Sequence, residues 1–407
     1  MRSFFSLLPS PRKPLGLAEF TALMALISAT AALSIDAMLP SLPDIAAEFS
    51  PNDVNRVQLV LTIFVLGMGA GVLFVGPISD AIGRKATLAW TLGLYCIGSI
   101  WAVYAHSLEA LLLARFVQGL GVAGPRVVSV ALVRDRFSGR EMARVTSFIM
   151  MVFMLAPAVA PSIGKLIASF AGWQGVFWFF VLIALVTMTW LGVRQPETLA
   201  PENRRKLEFA PLLAAAREVA RNGDVRLFTL VMTLGFGQMF ALLSSSQQIY
   251  GEVFGMADSF PVWFALMALL AATATVINSM TVLRFGMRRL VTWAYTGQIA
   301  IVTLYLVLML GDLLPEALKF PAFFIWSVSV FFMAGITFGN LNALAMQYMG
   351  HVAGMAASII AGLSTVGAVM IAAPVGLMFN GTSIPVACGV LGCSVIALLL
   401  MRRTTPS

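Results

Sequence analysis

Twelve stretches of about 20 mainly apolar residues recur along this 407-residue chain, and a run of that length is what an α-helix needs to cross a bilayer. They fall at 16–39, 57–78, 87–105, 110–132, 145–169 and 174–193 in the first half. In the second half they fall at 227–250, 260–283, 290–310, 321–346, 354–378 and 385–401. Inside hydrocarbon every backbone polar group must find its partner within the protein, so a serial pattern of this kind can only be helical. The predicted fold class is an all-α membrane protein of twelve transmembrane helices. Composition agrees, since 59% of residues are hydrophobic and only 11% charged, where soluble domains average about 25% charged.

The net charge of +8 would raise the question of nucleic acid if the basic residues formed a patch. They do not. Arg2, Arg12 and Lys13 precede the first run; Arg84 and Lys85 follow the second; Arg134, Arg136, Arg140 and Arg144 follow the fourth. The segment from Arg194 to Arg226 is rich in them, and Arg284, Arg288, Arg289, Arg402 and Arg403 complete the same side. Only Arg56, Lys165 and Lys319 fall opposite. Short cytoplasmic loops carry the excess of Lys and Arg, so both termini are predicted to be cytoplasmic, with no nucleic-acid partner. The first run resembles a secretory signal, but it is too long for one and contains Asp36, which predicts that it is retained. Cys96, Cys388 and Cys393 lie within runs and read as small apolar packing residues.

The polar stretch 194–226 divides six runs from six, giving a predicted N-terminal half (1–193), a cytoplasmic central loop (194–226) and a C-terminal half (227–407). A turn recurs in both halves: Gly76-Pro-Ile-Ser-Asp80-Ala-Ile-Gly83-Arg84-Lys85, and Leu283-Arg284-Phe-Gly286-Met-Arg288-Arg289. Gly83 allows a tight reversal. Asp80 can bond helix N-terminal amides or pair with a cytoplasmic arginine, and Arg84 and Lys85 can anchor the loop on anionic lipid. The blander alternative is a loop that serves orientation alone.

These residues carry a resemblance. The Gly76–Lys85 run resembles the loop motif of the major facilitator superfamily. Arg115-x-x-Gln118-Gly119-x-Gly121-x-Ala123 resembles its fourth-helix motif. Ala156-Pro157-x-x-x-Pro161-x-x-Gly164 resembles its fifth-helix antiporter motif. Ser34-Ile-Asp36-Ala-Met-Leu-Pro40-Ser-Leu-Pro43 and Asn340-Leu-Asn342, with Gly350-His351-Val-Ala-Gly354, are similar to drug:proton antiporters of the bicyclomycin-resistance type. The resemblance covers nearly the whole chain and implies two six-helix halves and proton-coupled export. It departs from the family at Val130, where an arginine is common, while Arg126 stands one turn earlier.

Charges inside the runs are few. Asp36 is the only acid well inside one, and Arg115 and Arg126 are the only interior bases. A charge at mid-bilayer costs at least about 3 kcal/mol, so such residues face the protein and usually serve function. Asp36 and Arg115 are predicted at similar depth, near the outer side. A carboxylate under opposing pulls from burial and a guanidinium can take a proton on one side and release it on the other. Asp36 is therefore predicted as the proton-coupling acid with Arg115 as its modulator, a role the resemblance also implies. The competing reading is a fixed ion pair. Arg126 has two readings: a structural link to Glu19, or a site for an anionic group on cargo.

Pro125, Pro157 and Pro161 each remove a helical amide, and with Gly164 they mark points where helices can bend or approach. In the second half, Gln238 and the run Ser244–Gln248 mark helix seven, and Asn340 and Asn342 mark helix ten. Together with Met38, Gln118, Arg126, Phe240 and Phe331 they are candidates for an apolar pocket with a few polar groups, although for any one of them helix-to-helix bonding is the simpler role. No HExxH, GxSxG or Walker sequence is present, which predicts no enzyme activity, no cofactor and no metal. The predicted partners are a small-molecule substrate, protons and membrane lipid. Export of amphiphiles by alternating access is the leading expectation, and import of a metabolite or metal chelate on the same fold is the alternative.

Overall fold

The structure, a computed structural model, describes residues 15–205, 207 and 209–404, so Arg2, Arg12, Lys13 and Lys206 lie outside the described residues. The elements among them are helical, with no strand: α1 (Leu17–Asp36), α2 (Leu42–Phe49), α3 (Leu59–Ile82), α4 (Arg84–Val103), α5 (Leu108–Arg136) and α6 (Gly139–Arg194). They continue as α7 (Phe209–Arg221), α8 (Gly223–Gln248), α9 (Phe260–Phe285), α10 (Met287–Leu310), α11 (Glu316–Gln347), α12 (Ala353–Leu377) and α13 (Ile384–Arg403). Among the described residues eleven helical segments are long and apolar enough to cross a membrane. One of them, α6, is 56 residues long and bends at Gly172, whose φ of 65° lies outside the helical region. Its two arms are the fifth and sixth predicted runs, so the all-α, twelve-span reading holds.

The chain resolves into two compact units. The first holds the residues up to Ser41 together with Ile63–Leu213; the second holds Leu42–Thr62 together with the residues from Ala214 onward. In the first, α4 packs on α5 and α6, and α1 on α5 and α6. In the second, α8 is central, touching α11, α12 and α13, while α10 packs on α11 and α13.

Both units turn part of their apolar surface outward. Leu283 is 95% exposed and Met280 76%, which is stable only where the surrounding solvent is lipid. Hydroxyls inside the helices bond back to the preceding turn, as Thr30 does to the Leu26 carbonyl at 3.0 Å and Thr187 to that of Ile183 at 2.7 Å. Glycines set the close contacts. A Cβ at Gly119 would overlap the Phe64 carbonyl, and at Gly121 or Gly124 it would meet Tyr95 or Thr91 of α4. The small residues of the fourth-helix motif are thus where α5 comes nearest to α3 and α4.

Candidate functional site

The first predicted run does not continue as one helix to Leu39. Pro40 stands four residues after Asp36 and has no N–H to give the Asp36 carbonyl, so α1 stops there. Ala37 closes it, its N–H reaching the Leu33 carbonyl. A 3-10 turn at Leu39–Ser41 follows, and α2 starts at Leu42. The break leaves Asp36 at a helix C-terminus, 5% exposed. Among the described residues its carboxyl group takes part in no hydrogen bond or ion pair.

Arg115 of α5 reaches the same turn of α1 by another route. Its Nη2 donates to the Ser34 carbonyl at 3.2 Å and its Nη1 to Gln118 Oε1 at 2.5 Å, while the Phe64 ring lies 4.2 Å beneath the guanidinium carbon. Helix C-termini are rich in unpartnered carbonyls and carry partial negative charge, so a guanidinium is a fitting end-piece. The expected contact between Asp36 and Arg115 is therefore a shared locality without an ion pair.

A wholly buried network extends from this arginine. Gln118 Nε2 donates to Ser99 Oγ at 2.7 Å, Ser99 Oγ donates to the Tyr95 carbonyl at 2.8 Å, and the Tyr95 hydroxyl lies 2.5 Å from Ser34 Oγ. Both ends of the Gln118 amide are bonded within the protein. Gly164 of α6 lies against the Ala37 carbonyl, where a Cβ would overlap the oxygen. The glycine of the fifth-helix motif, in the arm that carries Pro157 and Pro161, thus lets α6 close on the broken end of α1, beside Asp36.

Glu19 does not meet Arg126. It receives two bonds from Arg194, each 2.8 Å, and one from Trp190 Nε1 at 3.2 Å. Arg194 follows the sixth predicted run, a partner that depth comparison on α5 alone does not reveal. Arg126 is half-buried and its Nη1 rests on Met68 Sδ at 3.4 Å. Among the described residues no carboxylate pairs with it.

The α3–α4 turn is a closed electrostatic knot. Gly83 has φ 102°, and Arg84 donates to Asp80 Oδ1 (2.5 Å), Ser79 Oγ (3.0 Å) and Asp135 Oδ2 (3.0 Å). Asp80 thus pairs with an arginine of its own turn. The amides at the start of α4 are capped by Glu197, which accepts from Arg84 N at 3.0 Å and Lys85 N at 3.1 Å. Arg84 is 7% exposed and Lys85 Nζ donates to the Gly192 carbonyl at 2.7 Å, so both cations are bonded to protein. Gly286 repeats the Gly83 backbone, with φ 82°. There Arg288 donates to the carbonyls of Met401 (3.3 Å) and Thr404 at the end of α13.

The pocket candidates scatter. Met38 is buried beside the α1 break in the first unit. In the second, Gln238 accepts from Ser394 Oγ of α13 at 2.9 Å, whereas Asn340 donates to Asn278 of α9 at 2.7 Å, so these two amides serve different helix pairs. Phe240 stacks on Phe236 with centroids 6.0 Å apart, Phe331 meets Phe264 edge-on at 6.4 Å, and Asn342 is exposed. What the sequence did not single out are Asn55 and Gln58, which tie into the end of α8. Gln58 Nε2 donates to Gln248 Oε1 at 2.8 Å, Ser245 Oγ to Gln58 Oε1 at 2.9 Å, and Asn55 Nδ2 to the Phe379 carbonyl at 2.7 Å. The polar cluster Ser244–Gln248 was the available signal for one side of this knot only.

Comparison with known proteins agrees with this architecture. The chain is 29% identical over 385 residues to a bicyclomycin resistance protein homolog of Haemophilus influenzae, covering 93% of this chain and 94% of that one. It is 26% identical over 380 residues to the multidrug resistance protein MdtL of Escherichia coli, covering 91% and 92%. Among solved structures, the xylose transporter XylE from E. coli, in a partially occluded inward open conformation, superposes with a TM-score of 0.75 at 13% identity over 96% of this chain and 98% of that one. The family model described as Major Facilitator Superfamily matches residues 24–373, and the chain belongs to that superfamily as a multi-pass membrane transporter.

Proposed function

We propose that this transporter is a proton-coupled exporter of amphiphilic small molecules in a bacterial inner membrane, with both termini cytoplasmic. The single observation that carries the coupling reading is Asp36: a carboxyl group buried in a membrane-spanning segment, at a helix break, with no donor and no counter-charge among the described residues. A carboxyl group so placed is free to gain and lose a proton as its exposure changes, and a buried acid held by nothing is retained at a cost that function explains. Arg115 acts by holding the end of α1, which fixes where Asp36 stands. Pro40 and Gly164 supply the break and the close approach at which that end can shift.

The relatives named for bicyclomycin and multidrug resistance support export and an amphiphilic cargo. Accumulation of a fluorescent dye in energised inverted vesicles tests this. Uptake is expected to require the proton gradient, to collapse with an uncoupler and to be absent in Asp36→Asn. Gradient-driven uptake that survives in Asp36→Asn removes Asp36 from the coupling role. A dye that enters only right-side-out vesicles would establish import.

A further inference from the structure

At the end of α8 away from the 194–226 segment, the second unit contains a cavity of about 470 Å³. That volume suits a drug-sized molecule. Its walls are mostly apolar and include Leu42, Ala46 and Ala47 of α2 and Val54 and Val57 of the following turn. Of the polar groups on its surface, Gln58 and Gln248 are bonded to each other at 2.8 Å. Gln247 is not bonded. Its side chain lines the cavity, is 6% exposed, and among the described residues has no hydrogen-bond partner. A carboxamide that faces the cavity without a protein partner leaves its donors and acceptor available to a ligand.

A second group points the same way. After Gln248 the helix widens into a π-turn over Ile249–Val253. An α-helix sets positions five apart about 140° from each other, whereas a π-turn closes on the fifth residue and so keeps Glu252 on the cavity side with Gln247. Glu252 is exposed at the cavity surface and among the described residues forms no ion pair. A cavity with apolar walls, one unpartnered amide and one unpaired carboxylate matches an amphiphile bearing a cationic amine.

We infer that this cavity is a binding site for cationic amphiphiles, with the ligand's apolar body on α2, its amine at Glu252 and a polar group on Gln247. The site is separate from Asp36, and it rests on the export reading only in treating its ligand as cargo.

Photolabelling of the purified full chain with ethidium monoazide, without any ion gradient, tests it. Adducts mapped by mass spectrometry are expected in the peptides spanning 42–58 and 244–257. Half-saturation should weaken about fivefold in Glu252→Gln, the effect of one exposed charge pair. It should also weaken in Gln247→Leu. Ala47→Trp, which fills the mouth from an exposed position of α2, should abolish these adducts while leaving the melting temperature unchanged. Chloramphenicol, which is neutral, should compete equally well in wild type and Glu252→Gln. Labelling in Asp36→Asn should match wild type. Adducts confined to other peptides, or labelling unchanged in all three cavity variants, overturns the site. Loss of transport in Asp36→Asn with cavity labelling intact leaves both readings standing, and gradient-independent behaviour in vesicles overturns export without touching the cavity.

Discussion

The Arg115 guanidinium donates to the Ser34 carbonyl at 3.2 Å, two residues before the acid at which α1 ends. The arginine is fully buried and closes a helix terminus, so its first task is geometric. Replacing it by Met removes the donors to Ser34 and Gln118 and the cation over Phe64. Unpairing buried acceptors costs about 1–3 kcal/mol each. Arg115→Met is expected to lower the melting temperature in detergent by several degrees, and Arg115→Lys to recover only part of it, because one ammonium cannot serve the same directions as a planar fork.

Asp36 should register cargo directly. If cargo and proton exclude each other, adding cargo to purified protein in weakly buffered detergent releases protons, read with a pH indicator. Asp36→Asn is expected to release none while retaining a wild-type melting temperature, since no hydrogen bond or ion pair is lost. Proton release undiminished in that variant assigns the titrating group elsewhere.

Gly164 offers a sharper stability contrast. Its missing Cβ is the space the Ala37 carbonyl occupies, so Gly164→Ala must push α6 off the end of α1, an overpacking cost of about 1–3 kcal/mol. Gly297, exposed on α10 with open space at its Cβ position, should behave oppositely. There Gly→Ala gains up to about 1 kcal/mol of helix propensity. Thermal unfolding of the pair checks the sign of each.

The helical spans and the two glycine turns were legible because they are local. Twenty apolar residues in a row must be helical in lipid, and Gly83 and Gly286 sit where basic residues mark a reversal; the stop that Pro40 imposes at Asp36 is equally local, yet the apolar run alone carried the first span on to Leu39. What a side chain meets was not legible, because that depends on how each helix is rotated and on which later segment returns. Glu19 finds Arg194 from the far arm of α6, and the α4 amides find Glu197 from the segment after it. Asn55 and Gln58 join α8 across most of the first half of the chain. The 3.6-residue period places a residue on a face, but it does not name the neighbour opposite.

Glu197 illustrates how much one such long-range residue can hold. Its carboxylate accepts from four backbone amides, those of Arg84, Lys85, Thr198 and Leu199, which caps α4 and orders the segment after α6 together. Loss of a cap costs about 0.5–2 kcal/mol. Glu197→Ala is expected to lower the melting temperature and to speed hydrogen exchange at residues 84–88, with Glu197→Gln intermediate. Exchange unchanged at the start of α4 would show that another group caps it.

Arg126 is the remaining cation inside a span, and the geometry separates its two readings. Glu19 is occupied by Arg194 and Trp190, and among the described residues the Arg126 guanidinium donates to a thioether, Met68 Sδ, a weak acceptor. An arginine in a lipid-spanning helix without an acid is costly, and removing it breaks no ion pair, so Arg126→Gln is expected to leave the melting temperature unchanged or raise it. A structural link would lower it. On the proposed anion-site reading, an anionic group on cargo would gain a partner at Arg126 and a cationic one would be repelled. Accumulation assays with one anionic and one cationic dye in Arg126→Gln vesicles should therefore diverge, the anionic dye losing uptake while the cationic dye holds or gains, and equal loss of both would return Arg126 to a packing role.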